Sequence, residues 1–211
     1  AAIPRERKFP ERIVPDLQIS AGYMHSGYPI MTHLDSGAQD AFSLEKMRKG
    51  NWGYFHELGH NHQQPDWTFD GTVEVTCNLF SLYITETLCG NPTTRGHDAM
   101  APDTVARRLA KHRAAPDAGK FTRWKADPFL ALIMYDQLRA AFGWDTYKKV
   151  FAEYRDLTPD QRPKNDDEKR DQWLVRFSEA SGKNLGPFFQ EWGVPTSEAA
   201  RQSISTLPVW M

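Results

Sequence analysis

The chain has 211 residues, enough for one domain with a sizeable buried core, and its 26 basic and 27 acidic side chains leave a formal net charge of -1. That balance speaks against a nucleic-acid surface or an anionic membrane partner, and no apolar run approaches the roughly 18 residues of a membrane-spanning helix. Seven Trp and twelve Phe favour a packed globular domain over disorder.

Residues 1–15 read as an irregular lead-in with three prolines, and the opening AAIPRERKFPER, without Met, reads as a processed start or a piece of a longer protein. DLQISAGYMHSGYPIMTHLD, residues 16–35, has strand-type composition broken at Gly22 and Gly27, which predicts two short strands around a turn. AFSLEKMRKG predicts a short helix closed by Gly50. NWGYFHELGHNHQQ is helical and ends at Pro65, because a proline cannot continue a helix. After a loop at 66–71, a helix runs from Thr72 to about Leu88, with Gly90, Asn91 and Pro92 as stop signals.

DTVARRLAKHRA is amphipathic, with Asp103 as its expected N-cap. DPFLALIMYDQLRAAFG is apolar on most faces and forms a core helix, with WDTYKKVFAEYRDL packed beside it. The polar, proline-containing LTPDQRPKNDDEK is an exposed loop, and KRDQWLVRFSEASG and NLGPFFQEWG are two further helices. The sum is a single α+β region over 1–211, predominantly α-helical: lead-in and β element over 1–50, helical part over 51–211, ending in a helical bundle. Cys77 and Cys89 fall on one predicted helix, where twelve residues rise about 18 Å, so they do not reach the roughly 7 Å of a disulfide.

The chemistry concentrates in HELGHNHQQPDWTFDGTVEVTCN, residues 56–78. His56 and His60 lie four residues apart, which on a helix places them about 40° apart and about 6 Å along the axis, so both imidazoles reach one ion. His62 lies about 200° round from His60 and reads as a surface residue or an outer partner of the site, not a ligand. Glu57 is offset by about 100° from His56, too far to share the ion but close enough to take a proton from water beside it. The bland alternative is a solvated polar helix face; Trp52, Tyr54, Phe55 and Leu58 count against it by giving this helix an apolar side. Three acids compete for a third ligand position. Asp66 sits six residues after His60, but the turn such a spacing needs has Gln63 where a glycine is wanted; Asp70 sits in a loop before Gly71. Glu74 lies one turn into the next helix, and Asn78, four residues on, offers a carbonyl to a ligating imidazole. Helix placement therefore favours Glu74 over the two aspartates.

At these residues the sequence resembles the M60-like (enhancin-related) metallopeptidases of the gluzincin group, through SAGYMHSGYPIM, WGYFHELGHNHQ, TVEVTCNLFSLY and FSEASGKNLGPFFQEWGVP in that order. The resemblance implies a gluzincin-like catalytic domain with Zn2+ as cofactor, held by His56, His60 and Glu74, with Glu57 as general base. It further implies endopeptidase activity on peptides or O-glycosylated, mucin-like glycoproteins, and a secreted or cell-surface location. The resemblance also implies that a complete family module is longer, with an upstream lobe and carbohydrate-binding domains expected outside this chain.

Other residues carry weaker expectations. The GYPIM segment with Tyr28 is a candidate edge along which a peptide substrate lies. Trp52 and Trp67 flank the motif and either stack on a sugar or belong to the core. His25 and His33 read as structural or exposed, and Tyr135, His97 and Tyr154 are candidate donors to an oxyanion. The rival readings are a non-catalytic interaction module that kept the fold, and a structural zinc site closed by four protein ligands.

Overall fold

The computed structural model describes residues 9–210, so most of the first predicted segment, residues 1–8, lies outside the described residues. The described residues fall into two compact units that interleave along the chain. One, the sheet unit, contains residues 9–63 and 73–107; the other, the helical unit, contains 64–72 and 108–210.

The sheet unit has three short strands, β1 (Ile13–Asp16), β2 (Met24–His25) and β3 (Ile30–His33), in the order β1-β3-β2. β1 runs parallel to β3 with Ile13 opposite Ile30, and β2 runs antiparallel with Met24 opposite Thr32. β2 and β3 are the predicted pair around Gly27. β1 falls across the boundary of the predicted lead-in, where Pro15 hides it; as an edge strand it tolerates a residue without an N–H. Along β3, Ile30 and Thr32 are buried while Met31 and His33 are half-buried, the two-residue alternation of a sheet with one covered face.

A 3-10 turn (Ala38–Phe42) leads into α1 (Leu44–Lys49), capped by Ser43. α2 (Trp52–His62) starts at Asn51, whose side chain accepts from the Tyr54 N–H, and stops at the extended Gln63, two residues ahead of Pro65. α3 (Val73–Thr87) packs against α2, and Gly59 sets how closely: a Cβ there would lie 2.1 Å from the Cys77 carbonyl oxygen. Cys89 lies beyond the end of α3, and both cysteines are free, as expected.

α4 (Pro102–Ala114) begins with a proline in its first turn, so Asp103, expected as the N-cap, is already inside the helix. α5 (Lys120–Ala126) was not predicted. α6 (Pro128–Arg155) is capped by Asp127 and breaks at Gly143, whose φ of 76° separates the two helices read from the sequence. α7 (Asp166–Ser181), α8 (Gly186–Glu191) and the unpredicted α9 (Glu198–Ser203) complete the helical unit. Its core is aromatic: Trp124, Tyr135, Tyr147, Tyr154, Trp173 and Phe177 are all buried, and Trp67 joins them from the segment between α2 and α3. The chain is therefore α+β and predominantly helical.

Candidate metal centre

Helical periodicity brings His56 and His60 to the face of α2 that meets α3, and the first turn of α3 adds Glu74. Nε2 of His60 is 3.0 Å from Nε2 of His56, and Oε2 of Glu74 is 3.2 Å and 3.5 Å from those two nitrogens. A tetrahedral zinc ion about 2.05 Å from each ligand atom separates them by about 3.3 Å, so the triangle has the size this donor set needs. The histidine side chains are 20% and 15% exposed and that of Glu74 55%, so the triangle is open to solvent on the glutamate side.

Both imidazoles are oriented from behind. Nδ1 of His56 donates to Oδ1 of Asn78 (2.8 Å), and Nδ1 of His60 donates to Oε1 of Gln63 (2.8 Å). With the proton on Nδ1, each ring presents its Nε2 lone pair to the triangle. Asn78 also donates to the Glu74 carbonyl (2.7 Å), which links one histidine to the backbone of the third candidate ligand.

Glu57 is buried beside this cluster. Burial first, then the charges of Glu74 and Glu57, hold the Cys77 thiol well above its ordinary range. Cys77 was missed as a neighbour of the site: its ligand atom, with those of His56, His60 and Glu74, lies within 4.8 Å of the others. Yet Sγ sits 3.6 Å from Nδ1 of His56, at the ring edge already occupied by Asn78. The sulfur thus lies at the Nδ1 edge of the ring and not at its Nε2 edge, and the set reads as three ligands with one open position.

The two competing aspartates have other partners. Asp66 is buried and pairs with Arg162 at 2.6 Å. Asp70 pairs with Lys125, which lowers its carboxyl pKa, and the Asp70 N–H donates to Asp166. His62 donates from Nδ1 to the Leu58 carbonyl (2.7 Å), and its ring lies 5.5 Å from Phe80, away from the triangle.

Of the residues expected to touch substrate, Trp67 requires correction. It is 1% exposed and packs against Phe151 and Tyr154, with ring centroids at 4.7 and 5.5 Å, so it has no face to offer a sugar. Its aromatic bulk made it conspicuous in the sequence, and the same bulk is what the core recruits. Trp52 is half-buried, one turn before His56, with the His97 ring 5.3 Å away and Gly96 close against it. Tyr28 is 49% exposed and donates to the Pro10 carbonyl. Of the three candidate oxyanion donors, Tyr135 and Tyr154 are buried, and Nδ1 of His97 accepts from the Ala99 N–H (3.0 Å). His25 bonds to Ser20 and to the Ser26 carbonyl, and the ring centroid of His33 lies 5.9 Å from that of Tyr23. Asn61, which sequence reasoning passed over, exchanges two 2.9 Å hydrogen bonds with the backbone of Gly27 and so ties the β2–β3 turn to α2.

The profile of the family described as peptidase M60, enhancin and enhancin-like matches residues 1–193, and the chain belongs to that family. It is 43% identical to TRPM8 channel-associated factor 2 of Homo sapiens over 213 aligned positions, covering 100% of this chain and 22% of that protein. It is similar in structure to a functionally unknown conserved protein from Bacillus anthracis str. Ames, at a TM-score of 0.77 and 32% identity, over 94% of this chain and 39% of the other. IMPa from Pseudomonas aeruginosa in complex with an O-glycopeptide matches at a TM-score of 0.65 and 19% identity, over 99% of this chain and 30% of the other, a likeness of fold. The chain spans about a fifth of the length of the curated relatives it matches.

Proposed function

We propose that this chain forms the metal-binding region of a zinc-dependent endopeptidase that cuts O-glycosylated, mucin-like glycoproteins outside the cell or at its surface. The observation that carries the reading is the convergence of two Nε2 atoms and one carboxylate oxygen within 3.0–3.5 Å, with Glu57 buried beside them. His56, His60 and Glu74 would hold the zinc. When bound, zinc supplies Lewis acidity and brings the pKa of water towards roughly 7. Glu57 takes the proton of the attacking water and returns it to the leaving amine, as its offset on α2 allows. Asn78 keeps His56 in the tautomer that binds metal. An extended peptide aligns along the strand segment near Tyr28, and Trp52 and His97 stand at the opening end of α2 as contacts for the chain or its sugar.

The glycan preference draws support from the family resemblance and from a structural neighbour that was solved with an O-glycopeptide. The test is zinc content together with cleavage of one peptide with and without a single GalNAc beside the scissile bond, using the full-length protein that carries this chain. We expect one zinc per molecule and a preference of about 30- to 1000-fold in kcat/KM for the glycosylated form. Equal rates would remove the glycan from the proposal and leave the peptidase.

A second reading, a non-catalytic interaction module, is favoured by the curated relatives, which are named for association with a channel. Zinc-loaded full-length protein that cleaves neither peptide would select it.

A further inference from the structure

We infer that Gln63 is a positioning residue of the metal centre, setting the tautomer of His60 while it ties the end of α2 to the turn of α3 that carries Glu74. The inference rests on the metal-binding reading above. A primary amide has one oxygen acceptor and two N–H donors, and Gln63 uses both ends. Its Oε1 accepts from Nδ1 of His60 at 2.8 Å. Its Nε2 donates to the Val73 carbonyl and to Oγ1 of Thr76, both at 2.6 Å.

The Val73 carbonyl decides which way the amide points. A carbonyl only accepts, so the NH2 group must face it; the flipped amide would set two oxygens against each other. Oε1 is thereby aimed at His60, and Nδ1 of that ring must carry the proton. The lone pair of Nε2 is left facing His56 and Glu74. Glu74 follows Val73 directly, and Thr76 is buried one turn further into α3, so the other end of the amide holds the turn that carries the carboxylate. Residues 64–72 separate Gln63 from Val73 along the chain, whereas the Gln63 side chain spans the two directly. Gln63 makes that short connection. Asn78 does the matching work for His56, accepting from its Nδ1 and donating to the Glu74 carbonyl. Each histidine of the pair is thus tied to α3 through one amide side chain.

The test reads the tautomer of His60 from histidine 15N shifts of the full chain, free of metal, at a pH of about 8 where imidazole is neutral. Zinc affinity is measured in parallel by competition with a chelator. We expect wild type to hold His60 protonated on Nδ1. Gln63→Leu should release that preference and weaken zinc binding about 10- to 100-fold. Gln63→Glu, which keeps the acceptor and loses both donors, should retain the tautomer and fall between the two in affinity. Wild-type His60 protonated on Nε2 overturns the inference, as does a folded Gln63→Leu protein with unchanged tautomer and zinc affinity. If Gln63→Leu does not fold, the wild-type tautomer and the Gln63→Glu pair decide. Because the tautomer is read without metal or substrate, a wild type that binds no zinc counts against the proposed function and is distinguished from a wrong role for Gln63.

Discussion

In the α2–α3 pair, both histidines of the candidate metal centre have Nδ1 matched to an amide oxygen, and the amides are themselves bonded onward to α3. In the aromatic core of the helical unit, the indole N–H groups of Trp67, Trp124 and Trp173 and the hydroxyl of Tyr154 are buried with no hydrogen-bond partner among the described residues. Magnitudes explain why one molecule tolerates both. An unpaired buried donor costs roughly 1–3 kcal/mol, whereas a large aromatic side chain burying about 150–250 Å2 gains about 4–6 kcal/mol. The helical unit can leave a donor unmatched and still gain from the ring. A metal centre has no such margin, because its purpose is direction: an imidazole in the wrong tautomer points a proton where a lone pair is needed. One region spends polar contacts on orientation, and the other gains stability from area.

The sharpest test of that contrast is Glu57→Gln. It removes a proton acceptor and no ligand, so cleavage should fall about 100- to 10,000-fold while metal analysis finds the zinc in place. Loss of zinc from the variant would show that Glu57 had been given the wrong role. Trp67→Ala probes the opposite region. A fully buried ring is removed, and denaturant unfolding should show a loss of about 3–5 kcal/mol, with zinc per folded molecule unchanged. A metal-depleted but stable Trp67 variant would break the separation between the two regions.

Glu74→Ala should weaken zinc binding by more than the roughly 10- to 100-fold that an outer partner costs, since a ligand itself is removed. Asp66→Ala should leave zinc affinity alone and cost about 1 kcal/mol of stability, because Arg162 is half-exposed and regains water. The reverse outcome would move the third ligand to Asp66. The smallest effect concerns His112, buried against Trp192. Burial and the nearby Lys120 charge depress its pKa below the unfolded value near 6.5. The unfolded chain then binds more protons, so stability is complete above about pH 6.5 and declines as pH falls towards the lower folded pKa, by at most about 1.4 kcal/mol per pH unit. Thermal melts from pH 8 to 5 should show a shallower decline in His112→Gln than in wild type; identical slopes would mean that this imidazole does not couple to folding.

The sequence by itself determined what is local. Four residues between His56 and His60 make one helical face, whatever surrounds it, because the α-helix turns every 3.6 residues. The same rule put Asn78 on the face of Glu74, and the glycine and proline breaks marked most of the helix ends. β1 escaped because pairing, and not composition, makes so short a strand: its partner among the described residues is β3, some seventeen residues away. Among chemically similar groups, tertiary structure supplied the partners that the sequence could not. Asp66 and Asp70 carry the same carboxylate chemistry as Glu74, and they are set aside by Arg162 and Lys125, which lie 96 and 55 residues further along. Trp52 and Trp67 offer the same indole, yet one is half-buried beside His97 and the other vanishes into the core. Gly59 had no distinguishing mark in the sequence, and Gln63 drew notice there only as the residue standing where a glycine was wanted. What they do depends on how close α3 comes, and a distance between two helices is a property of packing that no spacing within one helix encodes.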